Sequence, residues 1–251
     1  MTLRSGKRAN PLVRMVPEVI GTSILLVHNL LVHRALRPPA DAALSLASAI
    51  ILPAFALRTG CSPAELGLDR ADLSRGLKTG SIAAACCSTG IGIAASLPSM
   101  RKFFLDGRLK RMSLGETLYH ASIRIPVATA LAEEIMFRSA LHALFARAHS
   151  LRTTLTWTSL LFGFWHILPT LDTFDESPAS KIVENPGRTR PIAALGFAGA
   201  TAGAGLFFSC LRLRSRSVAA SVLTHAAINV AGLVSARVLV ERADSPSNPD
   251  S

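Results

Sequence analysis

Long apolar stretches separated by short polar segments dominate this chain. Seven runs of mostly apolar residues can be placed, at about 16–36, 40–57, 79–97, 118–145, 153–168, 191–211 and 218–240. A membrane-spanning helix needs roughly 20 such residues, and backbone groups in lipid must pair within their own segment. The pattern therefore predicts an all-α fold, a polytopic transmembrane helix bundle with about seven spans and a range of six to eight.

The segments around these runs define the domain organisation. We predict one transmembrane helical domain over residues 16–240, between a basic tail at 1–15 and a polar tail at 241–251. The apolar stretch after the basic tail has no small-residue cleavage site, which favours an uncleaved first span. Residues 62–78 mix Leu66-Gly67-Leu68 with charges and predict an interfacial amphipathic segment. The glycines of the sixth run predict close packing inside the bundle.

Composition and charge support a membrane protein over a nucleic-acid-binding one. Only 17% of residues are charged, against about 25% in a soluble domain. The net charge of +11 is explained by Arg and Lys at the ends of spans, where they set topology and meet anionic lipid headgroups. With no nucleic-acid motif present, we predict membrane lipid as a partner, no nucleic acid, and a multi-pass location in the cell membrane.

Within the fourth apolar run, residues 131–138 carry three charged side chains, and such groups inside a span are costly and usually mark function. Glu134 and Arg138 are four residues apart, so they share a helix face and can pair. Glu133 is rotated about 100° from Glu134 and must face a different neighbour. A structural ion pair would need only one carboxylate, so Glu133 is the candidate base.

Two further runs supply polar groups that could work with Glu133. In the fifth run, Phe162 lies one turn before His166, which sits near a helix end three residues before a proline. In the seventh run, His225 and Asn229 are four residues apart and face the same side. Two convergent donors suit an oxyanion formed in acyl transfer or hydrolysis, although polar contacts between helices are a common alternative in membranes.

The ordered set Glu-Glu-x-x-x-Arg, Phe-x-x-x-His and His-x-x-x-Asn across successive apolar runs resembles the CPBP family of intramembrane proteases. That family includes the type II CAAX prenyl endopeptidases and the bacteriocin-processing or Abi-like self-immunity proteins. The resemblance covers about residues 118–234, the predicted catalytic core, and more loosely Glu65-Leu66-Gly67-Leu68. It implies a bundle of roughly eight helices around a polar cavity that opens to one side of the membrane.

The resemblance also implies roles for individual residues. Glu133 would activate the attacking water with the help of His166, and His225 with Asn229 would stabilise the oxyanion. The supporting residues would be Glu134, Arg138 and Phe162. Family members are often labelled metalloproteases, so the enzyme could be of a glutamate type without a cofactor or could depend on Zn. In the second case Glu133, His166 and His225 would be the metal ligands.

The predicted function is an intramembrane endopeptidase that hydrolyses a peptide bond of a lipidated or membrane-proximal peptide. One alternative is a non-catalytic membrane immunity or scaffold protein of the same fold, in which the polar cluster is structural. Another alternative is a transporter with a proton relay, but the sequence has neither the internal repeats nor the interrupted helices that would support it.

Overall fold

The computed structural model describes residues 11–177 and 186–243, and these residues form helices and turns without a strand. Within them we number eight main helices, which are α1 (Pro11–Arg34), α2 (Ala40–Arg58), α3 (Leu73–Ser96), α4 (114–148), α5 (Leu151–Trp165), α6 (Ile167–Thr173), α7 (Pro186–Ser215) and α8 (Val218–Ala243). Four short helical turns lie between them, at Arg70–Asp72, Pro98–Arg101, Gly107–Arg111 and Phe174–Glu176.

The predicted all-α fold is confirmed, whereas the predicted count of about seven spans is not. Each of the seven apolar runs is helical over most of its length. Five described helices are long and apolar enough to cross a membrane, and they include most of α1, α2, α3, α7 and α8. The fourth and fifth runs, in α4 and α5, do not meet this condition. Helix α4 carries several charged residues, and α5 has only 15 residues.

Apolar side chains face outward and polar side chains face inward across the described bundle. Large hydrophobic residues such as Ile50, Ile82 and Leu195 are more than half exposed, while His28, Ser48 and Arg138 are buried. This distribution suits lipid as the surrounding solvent, because intramembrane polar groups normally face the bundle interior. The protein is therefore a multi-pass membrane protein whose interior is polar at several points.

The central helix α4 has an unusual backbone. A reciprocal capping box between Ser113 and Glu116 begins it. Its hydrogen bonds then follow a π-helical pattern over His120–Leu131 and Ile135–Leu141, on either side of one α-helical turn at Ala132–Glu134. Pro126 lies in the first π stretch and has no N–H to donate, so a wider turn relieves its clash with the preceding turn. The two carboxylates thus sit where the helical pitch changes.

The segment at residues 62–78 follows α2 and runs into α3, which begins at Leu73. Leu66 of this segment is fully buried in the core. Gly67 adopts a left-handed φ of 68°, which glycine tolerates without strain, and its carbonyl accepts a hydrogen bond from the Val218 backbone N–H at 3.0 Å. Nearby, the Arg212 side chain donates a hydrogen bond to the Glu65 carbonyl. The segment therefore anchors the ends of α7 and α8.

Helix boundaries also differ from those predicted. Helix α1 begins at Pro11, within the predicted basic tail, and α7 begins at Pro186 rather than near residue 191. Proline is compatible with the first turn of a helix because the N–H that it lacks would be unpaired there. The rest of the basic tail and nearly all of the polar C-terminal tail lie outside the described residues.

Glycines allow pairs of helices to approach closely. A Cβ on Gly163 of α5 would lie 2.4 Å from the Ala198 carbonyl oxygen of α7, and one on Gly76 of α3 would lie 2.5 Å from the Ser217 Cβ. The glycines of the sixth run behave differently from one another. Gly205 faces the interior, as predicted, but Gly196, Gly199 and Gly203 have nothing opposite them within 4 Å and lie on an exposed face.

We expect Gly163→Ala to destabilise the protein by about 1–3 kcal/mol, because a backbone carbonyl cannot move aside as a flexible side chain can. Gly203→Ala on α7 is the matched control, because the added methyl group would meet nothing and alanine favours helix. Unfolding midpoints of both variants in detergent micelles test this. Equal midpoints for the two variants would contradict the close packing of α5 on α7.

Candidate active site

Glu133 and Glu134 face different neighbours, as predicted from their rotation about α4. Glu133 lies close to Trp165 and His166 at the junction of α5 and α6. Glu134 contacts Arg138 of its own helix and His225 of α8. The Glu134 side chain is completely buried, whereas 13% of the Glu133 side chain remains exposed. The two carboxylates therefore differ in access as well as in partners.

Glu133 and His166 face each other across a short gap. The distance from His166 Nε2 to Glu133 Oε2 is 4.0 Å, and Oε2 has no hydrogen-bond partner among the described residues. On the other side of the ring, His166 Nδ1 is 2.7 Å from the Phe162 carbonyl oxygen. A carbonyl can only accept, so Nδ1 carries a proton, and in the neutral form of the ring Nε2 presents a lone pair to Glu133. In that form both groups across the gap are acceptors, and a water molecule could donate one proton to each.

The second carboxylate joins two cationic or potentially cationic groups. Glu134 Oε1 lies 2.9 Å from His225 Nδ1 and 3.3 Å from Arg138 Nη1. The predicted pair between Glu134 and Arg138 is therefore present. Because the carboxylate accepts from Nδ1, His225 can donate from Nε2 only when both of its nitrogens are protonated.

Aromatic rings hold the Arg138 guanidinium, which donates no hydrogen bond within the described residues. Its Cζ lies 3.8 Å from the centre of the Phe162 ring and 5.3 Å from that of Phe208. The attraction between a cation and a ring face is strongest when both are desolvated. The Phe162 ring also packs edge-on against His166, with ring centres 4.6 Å apart. Phe162 thus contacts residues from both halves of the site.

Asn229 lies apart from these contacts and lines a cavity. That cavity has a volume of about 650 Å³, and its wall includes His120 and Arg108. A second cavity of about 750 Å³ reaches His166 and is lined mainly by apolar groups such as Phe103, Phe197 and Pro169. Arg108 lines both cavities, and hydrogen bonds from its side chain to Asp106 raise its pKa, so it stays charged. The site therefore has two adjoining spaces, one at each set of candidate residues.

Several residues at the site were not singled out from the sequence. Phe208 stacks on His225 with ring centres 4.9 Å apart, and a Cβ on Gly205 would lie 3.0 Å from an Arg138 nitrogen. Trp165 donates a hydrogen bond to Glu133. All three lie in apolar runs, where ordinary core packing gives the same pattern. His142 is buried, and its Nδ1 has no partner among the described residues.

The predicted zinc ligands do not come together as a set of three. Among the described residues, no group of three His, Cys, Asp or Glu side chains is placed to hold one metal ion. Glu133 lies near His166, but His225 Nδ1 is engaged by Glu134. A three-ligand zinc site therefore does not fit these residues in this arrangement.

Comparison with known families gives a match at these residues. Residues 116–231 match a family model described as type II CAAX prenyl endopeptidase, Rce1-like. This match over slightly less than half of the chain supports membership of the CPBP family. The matched family consists of membrane-embedded proteases, which supports a protease in this chain. Comparisons with curated proteins and with solved structures found no match.

The match covers one part of the chain and leaves the N-terminal helices outside it. It contains all seven candidate residues and runs from the first turn of α4 into α8. Helices α1, α2 and α3 lie outside it, yet α1 and α2 pack against α4. The motif-bearing helices are therefore completed by helices that the family model does not cover.

We expect Arg138→Met to destabilise the protein by about 3–5 kcal/mol, because it leaves the Glu134 carboxylate buried without a balancing cation. Adding Glu134→Gln should recover part of that loss, which gives a coupling free energy of about 1 kcal/mol or more. Denaturation in mixed micelles of the wild type, the two single variants and the double variant gives the four unfolding free energies of this double-mutant cycle. The control is a second cycle on the exposed pair Asp72 and Arg75, whose charged atoms are 3.1 Å apart. Its coupling should be about 0.5 kcal/mol or less, and equal couplings for both pairs would contradict the role of burial.

Proposed function

We propose that this CPBP protein is an intramembrane endopeptidase in which Glu133 and His166 activate water. The observation that supports this most directly is the gap of 4.0 Å between His166 Nε2 and Glu133 Oε2. Two acceptors face each other there, and a single water molecule can satisfy both. A structural ion pair would instead bring a donor against the carboxylate, as Arg138 does for Glu134.

The proposed reaction begins when Glu133 takes a proton from the water held between the two side chains. The water oxygen attacks the carbonyl carbon of the scissile peptide bond, and the carbonyl oxygen becomes an oxyanion. Glu133 then passes the proton to the leaving amine, the C–N bond breaks, and the products are a carboxylic acid and an amine. A carboxylate that serves first as base and then as acid needs one free oxygen, and Oε2 has no competing partner among the described residues.

His225 and Asn229 are the proposed donors to the oxyanion. The carboxylate of Glu134 balances the charge of doubly protonated His225, whose Nε2 can then donate. Asn229 lies one turn further along α8 and lines the adjoining cavity. Preorganised donors of this kind typically contribute 10²–10³ in rate each. Glu134, Arg138 and Phe162 support the site by fixing His225 and His166.

A lipidated or membrane-proximal peptide is the proposed substrate. The cavity at His166 has mostly apolar walls, which suits a hydrocarbon chain or apolar side chains delivered from the bilayer. We place the protein in the cell membrane with membrane lipid as a partner. Because three metal ligands do not converge, no step is assigned to zinc, and the expected rate is unchanged after treatment with a chelator.

We expect Glu133→Gln to abolish peptide cleavage and His166→Ala to reduce it by about 10²–10⁴-fold, because each removes a proton-transfer or positioning group. Purified protein in liposomes is assayed with a farnesylated CAAX peptide and with the same peptide without the lipid. Glu241→Gln on an exposed turn of α8 is the control. Folding of every variant is checked by circular dichroism.

A second measurement covers substrates outside this peptide set. Mass spectrometry of newly formed peptide termini compares cells that express the wild-type protein with cells that express Glu133→Gln. The proposal predicts termini that depend on Glu133. If cells with the wild-type protein and cells with Glu133→Gln yield the same termini, and both proteins support the same physiological activity, the protein is a scaffold or immunity factor and not a protease.

A further inference from the structure

The indole of Trp165 holds one oxygen of the proposed base. Trp165 Nε1 donates a hydrogen bond to Glu133 Oε1 over 3.4 Å, while Glu133 Oε2 is the oxygen that faces His166. A hydrogen bond at one oxygen restrains the rotation of a carboxylate and so favours one direction for its second oxygen. Trp165 is next to His166 in the chain, and the two residues therefore hold the carboxylate from neighbouring positions.

A proline leaves the Trp165 backbone carbonyl without its usual helical hydrogen-bond donor. In a continuous helix the Trp165 carbonyl would accept from the N–H of residue 169, but residue 169 is a proline and has none. The Asn29 side-chain amide of α1 donates to this carbonyl at 3.0 Å instead. An unpaired carbonyl in a membrane interior costs several kcal/mol, so this contact is structurally significant. It ties the end of α5 to α1.

The ring of Trp165 is held by a second residue of α1. His28 stacks on the indole with ring centres 5.0 Å apart and planes inclined by 28°. His28 itself is buried and its Nδ1 lies 2.8 Å from the Ser48 hydroxyl of α2. The Phe137 ring packs edge-on against the other side of the indole at 5.4 Å. The indole is therefore fixed by α1, α2 and α4 together.

We propose that Trp165 is a positioning residue for Glu133 and that His28 and Asn29 hold it in place. Helices α1 and α2 lie outside the matched family segment. Residues that belong to none of the motifs therefore help to orient the Glu133 carboxylate. The kinetic consequence rests on the proposed protease function. The structural claim, that the indole N–H binds the Glu133 carboxylate, does not.

A spectroscopic experiment tests the structural claim without an assay of activity. The chain has two tryptophans, and Trp157 is exposed, so Trp157→Phe leaves Trp165 as the sole source of an indole signal. In full-length protein labelled with ¹⁵N-indole tryptophan, we expect one downfield indole proton. Glu133→Gln in this background should move that proton upfield, because a neutral amide is a weaker acceptor than a carboxylate. Glu133→Ala should move it further.

A kinetic experiment tests the positioning role. Trp165→Phe keeps an aromatic ring and removes the N–H, so kcat should fall by roughly tenfold to a hundredfold, the range for one hydrogen bond to a charged group. KM should stay within about twofold, because the indole contacts the base and not the substrate. Trp157→Phe makes the same substitution on the exposed face and should leave both parameters unchanged. Asn29→Leu should lower kcat in the same direction as Trp165→Phe.

The two experiments separate failure of this inference from failure of the protease assignment. An indole proton that does not move in Glu133→Gln or Glu133→Ala would overturn the contact whether or not the protein cleaves peptides. If the proton moves and Trp165→Phe retains the wild-type kcat, the positioning role is wrong although the contact exists. Should Trp165→Phe fail to fold, Asn29→Leu keeps the indole and still reports through both kcat and the indole proton.

Discussion

The site depends on the placement of two adjacent carboxylates inside an apolar bundle. A buried carboxylate is costly unless it is paired, and removing its partner leaves an uncompensated charge. Glu134 meets this requirement with Arg138 and His225, and the aromatic rings of Phe162 and Phe208 cover the guanidinium. Because Arg138 pairs with Glu134, Glu133 has no Arg or Lys partner and keeps one oxygen free of hydrogen bonds within the described chain. This unequal sharing of partners creates the proposed base.

Helix breaks place the partners of Glu133. The chain bends from α5 into α6 at His166, close to Pro169, and this break turns the His166 ring toward α4. The hydrogen bond from Nδ1 to the Phe162 carbonyl then sets which ring nitrogen faces the carboxylate. In α4 the change between π-helical and α-helical turns falls on both sides of Glu133 and Glu134. Irregular backbone in a membrane is tolerated where it is buried in protein or lines a cavity, and both breaks meet that condition.

The outer helices also contact residues of the site. Helix α7 presents Gly205 to the Arg138 guanidinium, and the absence of a side chain there leaves room for the charged group. Helices α1 and α2 supply a buried polar cluster at His28, Asn29 and Ser48 that contacts Trp165. The exposed surface of the described helices carries many large hydrophobic side chains.

The sequence by itself determined the all-α membrane fold, because long apolar runs in lipid can only be helices. It also indicated the family and the candidate residues, since Glu133, Glu134, His166 and His225 are ionisable groups in apolar runs and are rare for that reason. It determined that Glu133 and Glu134 face different neighbours, because the helical rotation between adjacent residues is fixed. It did not reveal that Leu66 and His142 are buried, because tertiary contacts and not local sequence place them inside.

Only the tertiary structure decided which partner each carboxylate has. Phe208, Gly205 and Trp165 have the pattern of ordinary core residues, and their roles come from what lies opposite them in space. The contact between Asn29 and Trp165 joins residues 136 positions apart, and no local pattern specifies such a pair. The metal question has the same character, because Glu133, His166 and His225 are a plausible ligand set by type, whereas a ligand set requires distances. Periodicity determines which face of a helix a residue occupies, but the packing of helices determines what that face meets.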